Sequence, residues 1–303
     1  MIRSVLVVGA AGFIGQHLVP ALLQAGMRVT AQQHHRKAEF SSEVTTAVAP
    51  ANYAKLLQDQ DAVFWLASGT TPASSASDPQ RELRTNLAPL LKLLQALQAR
   101  PQCRLIYVSS GGTLYGDVDQ PADESLAPHP RSYYAACKAA AEHFIEACCL
   151  QYGAEAVVLR PSNVYGPGQA LHQGFGVIPA AMGCLLHGRP MELWGDGESL
   201  RDYLYIDDFV TACLTVLHQP AVHRLQTYNV CSGQATSLNQ LLGLIEQATG
   251  RTLHRVHHSA RAMDLQRVLL NGTRIRSELG WSSRTSLLTG LEKTWRAFGV
   301  TAR

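Results

Sequence analysis

Long hydrophobic runs are absent from this 303-residue chain. No stretch approaches the ~20 unbroken apolar residues that span a bilayer, so no membrane role is expected. Charge of one sign is scarce too: 26 Lys+Arg against 23 Asp+Glu leave a formal charge of +3. That is too weak for a nucleic-acid binder, and aromatic residues do not interleave with a basic stripe, so no nucleic-acid partner is expected. The 7 cysteines are an odd number without a C-x-x-C pair, which argues against a disulfide framework and for reduced thiols in a cytoplasmic protein. Neither His34–His35 nor the group His254, His257 and His258 has a Cys or carboxylate at ligand spacing, so no metal site is expected. There is no internal repeat and no low-complexity tract.

What is present is the composition of a packed globular protein. Apolar residues make up 46% and charged residues 16%, which excludes a disordered tail or an acidic solvating protein. The length suits one large or two interlocked domains with a sizeable core. Residues 2–14 loosely mimic a signal peptide. Gly9, Gly12 and Gly15 interrupt that run, however, and helical patterning continues through Leu18, Leu22 and Leu23. A buried strand leading into a glycine turn accounts for it.

Short apolar runs at 5–8, 29–31, 61–66, 105–109 and 156–159 read as buried strands, and 13–25, 81–99 and 132–151 read as helices. This alternation predicts an α/β fold with a Rossmann-type, doubly wound parallel sheet. Pro20 and Pro89 fall inside helical patterns, so kinks or late helix starts are expected there. After Tyr165, Gly and Pro become frequent and the elements shorten. The expected division is a dinucleotide-binding part over 1–165 and a smaller α/β substrate-binding lobe over 166–303. Some segments of the lobe, about 203–232, return to the sheet.

The run Gly9-Ala10-Ala11-Gly12-Phe13-Ile14-Gly15 follows the first strand and opens a helix. Glycines there allow a tight turn, close approach of a pyrophosphate to backbone N–H groups, and tight helix–sheet packing; the helix N-terminus favours the phosphate charge. Gly9, Gly12, Phe13, Ile14 and Gly15 are therefore candidate NAD(P)-binding residues. NAD-binding units usually carry Asp or Glu at the end of the second strand, ~20 residues on. Here the register gives Gln33, then His34, His35, Arg36 and Lys37, with no carboxylate before Glu39. Arg36 and Lys37 suit a 2′-phosphate, which favours NADP over NAD; the alternative is a plain solvated loop.

Tyr134 and Lys138 stand at i and i+4, one above the other on a helix face. A phenol of ordinary pKa, about 10, is a poor base at neutral pH. A neighbouring ammonium favours the phenolate, so Lys138 is expected to lower the Tyr134 pKa and make it a proton acceptor for a sugar hydroxyl.

The ordered set of the glycine turn, Ser109-Ser110-Gly111-Gly112-Thr113-Leu114-Tyr115-Gly116 and Tyr134-x-x-x-Lys138 resembles the extended short-chain dehydrogenase/reductases. More narrowly, it is similar to the NAD-dependent epimerase/dehydratase group that acts on nucleotide-diphosphate sugars. The resemblance runs on through Asp61 to Ala67, with Trp65 where the family usually has His, and through Arg160-Pro161-Ser162-Asn163-Val164-Tyr165-Gly166. It continues in Trp194-Gly195-Asp196-Gly197, Arg201-Asp202-Tyr203, Arg261 to Asp264 and Glu278-Leu279-Gly280-Trp281. It implies Tyr134 as catalytic base with Lys138 as its partner and a ribose ligand, both thus touching the cofactor, Leu66 and Ala67 beside it, and Asn163, Arg201 and Arg261 near the sugar-nucleotide diphosphate, with Arg261 close to its phosphates or ribose. Guanidiniums and an amide suit a diphosphate. Without it, Arg201 would sooner be paired with Asp202 or Asp207, and Arg261 with Asp264.

One departure stands out. The family Ser or Thr that bonds the reacting hydroxyl falls at Gly111, which leaves Thr113 and Ser110 as the candidate hydroxyls. There is no Asp-Glu pair at Gly112-Thr113, as 4,6-dehydratases carry, so dehydration is not expected. The implied function is NAD(P)-dependent chemistry at hexose C4, as a 4-epimerase or as an NADPH-dependent 4-keto-(6-deoxy)hexose reductase. A non-catalytic NAD(P)-binding sensor is the alternative of another class, supported by Gly111 alone. Leu87, Leu90, Leu91, Leu94 and Leu97 form a stripe that is either core or, as the resemblance implies, part of a homodimer face.

Overall fold

The computed structural model describes residues 2–34, 37–48, 52–171, 176–220, 223–260 and 264–298. Seven strands make one sheet: β1 (Ser4–Val8), β2 (Arg28–Gln33), β3 (Thr45–Val48), β4 (Ala62–Trp65), β5 (Arg104–Val108), β6 (Ala156–Pro161) and β7 (Leu225–Val230). They lie in the order β7-β6-β5-β4-β1-β2-β3, and every pairing is parallel. Strands covered on both faces read as unbroken apolar runs, which is why Val5 to Val8 and Ala156 to Leu159 were legible. Thr45–Val48 was not: it is a four-residue edge strand of mostly exposed residues and shows neither an apolar run nor alternation.

The chain crosses from one side of the sheet to the other between β1 and β4, which are direct neighbours. Their carboxyl ends frame the crevice where doubly wound sheets bind ligands. Helix α1 (Phe13–Gln24) leaves β1 there and continues unbroken through Pro20. The single helix expected over 81–99 is three pieces: a short α turn Pro79–Glu82, a π turn Leu83–Leu87, and α2 (Ala88–Leu97). Pro89 occupies the first turn of α2, where its missing N–H costs nothing; this is the late start that a proline demands. Of the leucine stripe, Leu90, Leu94 and Leu97 are buried in the core, while Leu87 and Leu91 are half-buried.

Helix α3 (Tyr133–Tyr152) is capped at both ends. Ser132 Oγ accepts from the Ala135 N–H at 3.1 Å, and Gly153 closes it at φ +74°. The lobe is not separate from the sheet. Strand β7 joins the edge beside β6, helix α4 (Ile206–His218) packs on α1, and one apolar core runs from Val5 to Trp295. No helix among the described residues is long and apolar enough to cross a membrane.

Candidate active site

Gly9 adopts φ +87°, and a Cβ there would lie 2.7 Å from the backbone N of Ala67; one at Gly15 would lie 2.4 Å from the Ala10 carbonyl. Only glycine fits either place. The Gly9 and Ala10 amides donate to the Gln32 carbonyl at 3.2 and 3.1 Å, which fastens the turn to β2. Gly12 caps α1 without a side chain of its own, so the first-turn N–H groups, Phe13 and Ile14 among them, keep their donors for an anion. A backbone cradle closed against 66–67 at the carboxyl end of the sheet fits the pyrophosphate of a dinucleotide.

Gln33 is placed differently from expectation. It is buried, its Nε2 donates to the Ala38 carbonyl at 3.0 Å and its Oε1 accepts from the Ala38 N–H at 3.0 Å. Both polar atoms help close the loop that follows β2. Lys37 is exposed on that loop; Arg36 lies outside the described residues.

At the carboxyl end of β5 the chain turns into Gly111–Leu114, and α3 brings Tyr134 alongside. Hydrogen bonds with the Ser110 and Ser68 side chains favour the Tyr134 phenolate, and Thr113 Oγ1 donates to Ser110 Oγ at 3.0 Å. Even so, the Tyr134 hydroxyl is pushed up to about 12, first by burial and then by the charge of Glu82. The expected lowering by Lys138 does not occur. Its Nζ sits 5.8 Å from the Tyr134 ring centroid and donates to the Val108 carbonyl at 2.9 Å. Burial brings Lys138 itself down to about 8, against the opposing charges of Cys137, Glu142 and Glu82.

Gly111 points the other way. A Cβ there would lie 2.4 Å from Leu270 Cδ1 and 2.9 Å from the Arg160 carbonyl, so a serine cannot stand at this position as packed. Ser110, one residue earlier, takes the place beside Tyr134. Gly111→Ser is accordingly expected to cost about 1–3 kcal/mol by overpacking and to gain no activity. A thermal melt unchanged from wild type would contradict this.

Behind these groups lies a buried ion pair. Arg160 Nη2 donates to Glu142 Oε2 at 2.6 Å, its Nε reaches both carboxylate oxygens, and Ser109 Oγ donates to Glu142 Oε1 at 2.5 Å. Arg160 Nη1 also donates to the Tyr115 hydroxyl at 2.7 Å, which donates to Asn229 Oδ1 at 2.9 Å.

Across the crevice, Asn163 Nδ2 donates to the Asp202 carbonyl at 2.8 Å. Arg201 is paired with neither Asp202 nor Asp207: its guanidinium donates to the carbonyls of Leu200 at 2.8 Å and Leu265 at 2.7 Å. Among the described residues it has no carboxylate within ion-pair distance, and burial lowers its pKa. Asp202 is instead filled by Ser162, Ser232, Gly233 and Gln234. Arg201 faces a cleft of about 820 Å³ whose wall includes Trp194, Asp196, Ser199, His258 and Gln266. His258 pairs with Glu192 and stacks on Trp194 with centroids 5.3 Å apart. Arg261 lies outside the described residues. Among those described, no cluster of His, Cys, Asp or Glu could hold a metal ion.

The structure thus brings Ser110, Thr113, Tyr134 and Lys138 together, while Asn163 and Arg201 line one cavity of about 430 Å³ with Tyr165 and Val177. Sequence reading missed Ser68, Glu82 and Asn86. Ser68 could have been found, since it stands just past the carboxyl end of a parallel strand; the other two carried no sequence signal.

A model of the NAD dependent epimerase/dehydratase family matches residues 5–231. A UDP-glucose 4-epimerase of Mycolicibacterium smegmatis is 33% identical over 97% of each chain. A GDP-6-deoxy-D-mannose reductase of Pseudomonas aeruginosa is 31% identical over 96% of this chain and 95% of its own. The crystal structure of UDP-glucose 4-epimerase from Thermus thermophilus in complex with NAD is similar at a TM-score of 0.89 and 29% identity, covering 98% of this chain and 99% of that one.

Proposed function

This chain belongs to the NAD dependent epimerase/dehydratase family, and on that premise we propose that it is an NAD(P)-dependent enzyme of nucleotide-diphosphate sugars, working at hexose C4 in the manner of a 4-epimerase. The observation that carries the reading is Tyr134 beside Ser110, Ser68 and Lys138, on the same sheet domain as the glycine cradle. Gly9, Gly12, Phe13, Ile14 and Gly15 hold the pyrophosphate, with Leu66 and Ala67 alongside. A bound nicotinamide would supply the hydride acceptor and donor for the sugar carbon.

The rest falls to the side chains. Tyr134 takes the proton of the sugar hydroxyl and returns it, Ser110 and Thr113 hold the reacting oxygen, and Lys138 holds the cofactor ribose beside the pair. Arg201 and Asn163 hold the diphosphate. Arg201 suits that task because carbonyl partners orient its guanidinium without neutralising it.

A second reading rests on the end of β2. With Gln33 locked to Ala38 and no carboxylate before Glu39, the Arg36–Lys37 loop favours the 2′-phosphate of NADP. An exchangeable NADPH would suit a 4-ketoreductase. For the assembly, this reading has two copies pair through α2 and α3, where Leu83, Tyr133 and Phe144 are exposed beside half-buried Leu87 and Leu91. The chain would work as a soluble cytoplasmic protein.

The deciding experiment is to denature freshly purified protein and identify what it releases. Stoichiometric NAD is the result expected of a 4-epimerase that keeps its cofactor through turnover. An empty protein that binds NADPH better than NADH moves the assignment to the reductase. No affinity for either dinucleotide overturns the catalytic reading.

A further inference from the structure

The stretch from Leu265 to Leu270 touches Arg201 at one end and the catalytic turn at the other, and the reaction as proposed gives it no part. Its first end is built against Arg201. The short strand Arg267–Val268 pairs in parallel with Leu200–Arg201, and the Leu200 N–H donates to the Gln266 carbonyl at 2.7 Å. The Arg201 guanidinium itself donates to the Leu265 carbonyl at 2.7 Å. A planar guanidinium held by backbone carbonyls takes its direction from the backbone that carries them.

The second end lies on the turn Gly111–Leu114. Leu270 is buried and packs with Leu114, Tyr115, Ala122 and Cys231. It fills the space that a side chain at Gly111 would need, with Cδ1 2.4 Å from where a Cβ would stand. The Thr113 and Leu114 amides donate back to the Ser110 carbonyl at 3.3 and 3.2 Å, and Thr113 Oγ1 donates to Ser110 Oγ at 3.0 Å. Those bonds shape the turn from within; Leu270 and the Arg160 carbonyl bound it from outside.

Between its ends the stretch is fastened to the chain that leaves the turn. Asp117 Oδ1 accepts from the Gln266 and Arg267 N–H groups at 2.5 and 2.9 Å. The Val118 N–H donates to the Arg267 carbonyl at 3.1 Å and the Ala122 N–H to the Leu269 carbonyl at 3.0 Å, while the Asn271 N–H returns to the Ala122 carbonyl at 2.8 Å. The five residue steps from 265 to 270 span at most about 18 Å, so the tether between arm and turn is short.

We propose that 265–270 is a strap tying diphosphate binding to catalysis, with Leu270 as its positioning residue. One end aims Arg201 at the diphosphate; the other, seated on Gly111, sets the turn that carries Ser110 and Thr113. The proposal deepens the nucleotide-sugar reading and rests on it for the ligand. A diphosphate that fixes Arg201 also fixes the carbonyl of Leu265, and the order passes along the strap to the turn.

The test uses the full chain saturated with dinucleotide, and UDP as probe. Backbone hydrogen exchange is followed in peptides covering 198–204 and 110–116. In wild type, UDP is expected to slow exchange in both at least about threefold. In Leu270→Ala it still slows 198–204 but no longer 110–116. In the same variant kcat is expected to fall about tenfold with KM within about twofold of wild type. Leu270→Met, which keeps the volume, is expected to restore both the response and kcat. A leucine that only filled the core would cost Tm and leave the kcat of the folded protein alone.

UDP that slows 198–204 but not 110–116 in wild type overturns the strap and leaves the nucleotide-sugar reading standing. So does a Leu270→Ala protein with wild-type kcat. If both peptides respond in wild type, the turn stops responding in Leu270→Ala, and yet no nucleotide sugar turns over, the strap stands and the proposed function falls. Should Leu270→Ala fail to fold, the smaller truncation Leu270→Val decides by the same exchange pattern.

Discussion

Tyr134→Phe is expected to lower kcat by about 10³-fold or more while dinucleotide affinity stays at the wild-type value. The phenyl ring preserves the packing of the first turn of α3 and its place 5.8 Å from the Lys138 ammonium. Only the oxygen is lost, and with it the atom that Ser110 and Ser68 address. The cradle at Gly9, Gly12 and Gly15 lies on other elements and is untouched. Steady-state turnover together with fluorescence titration of the dinucleotide checks both halves. A variant that keeps a tenth of the activity would refute Tyr134 as the base.

The pH dependence has a defined sign. A base must be deprotonated to accept, and burial disfavours the phenolate, so kcat/KM is expected to rise with pH on its acid side. Tyr134→Phe removes this dependence along with the activity.

The largest expected effect on stability belongs to Glu142→Ala. Glu142 and Arg160 are 9% and 7% exposed, and the pair is bidentate. Removing the carboxylate strands a buried guanidinium and leaves Ser109 Oγ without its acceptor. Breaking one side of such a pair costs roughly 3–5 kcal/mol, a drop on the order of 10 °C in Tm for a chain of this size. Replacing both members by apolar residues of similar volume, Glu142→Leu with Arg160→Met, is expected to regain most of the loss. Thermal and urea unfolding of Glu142→Leu, Arg160→Met and the double variant complete the cycle, with Glu142→Ala measured beside them. A Glu142→Ala protein within about 1 kcal/mol of wild type would show that the pair holds nothing up.

The sheet was legible because strands buried on both faces cannot disguise themselves: Val5 to Val8 and Ala156 to Leu159 have no polar residue to hide behind. The glycine turn was legible for a steric reason, since Gly9 and Gly15 occupy places where a Cβ would strike backbone. The π turn was not, because Leu83 to Leu87 carry ordinary helical spacing and the extra backbone step follows from packing against the loop at Gly69, where Thr85 Cβ would stand 3.0 Å from an added Cβ. Glu82 was invisible for a related reason. An acidic residue near a helix start reads as solvated, and its burial is decided by α3, some fifty residues further along the chain. The role of Ser110 over Gly111 likewise depended on Leu270, a contact no local spacing encodes.

The loop after β2 closes on itself through the two bonds between Gln33 and Ala38. Those bonds tie Ala38 to the end of β2 within the sheet's own frame. On the proposed role of positions 36 and 37, coenzyme preference is a detachable trait: a descendant could exchange them and switch dinucleotides, leaving Tyr134, Lys138 and the folding core as they are.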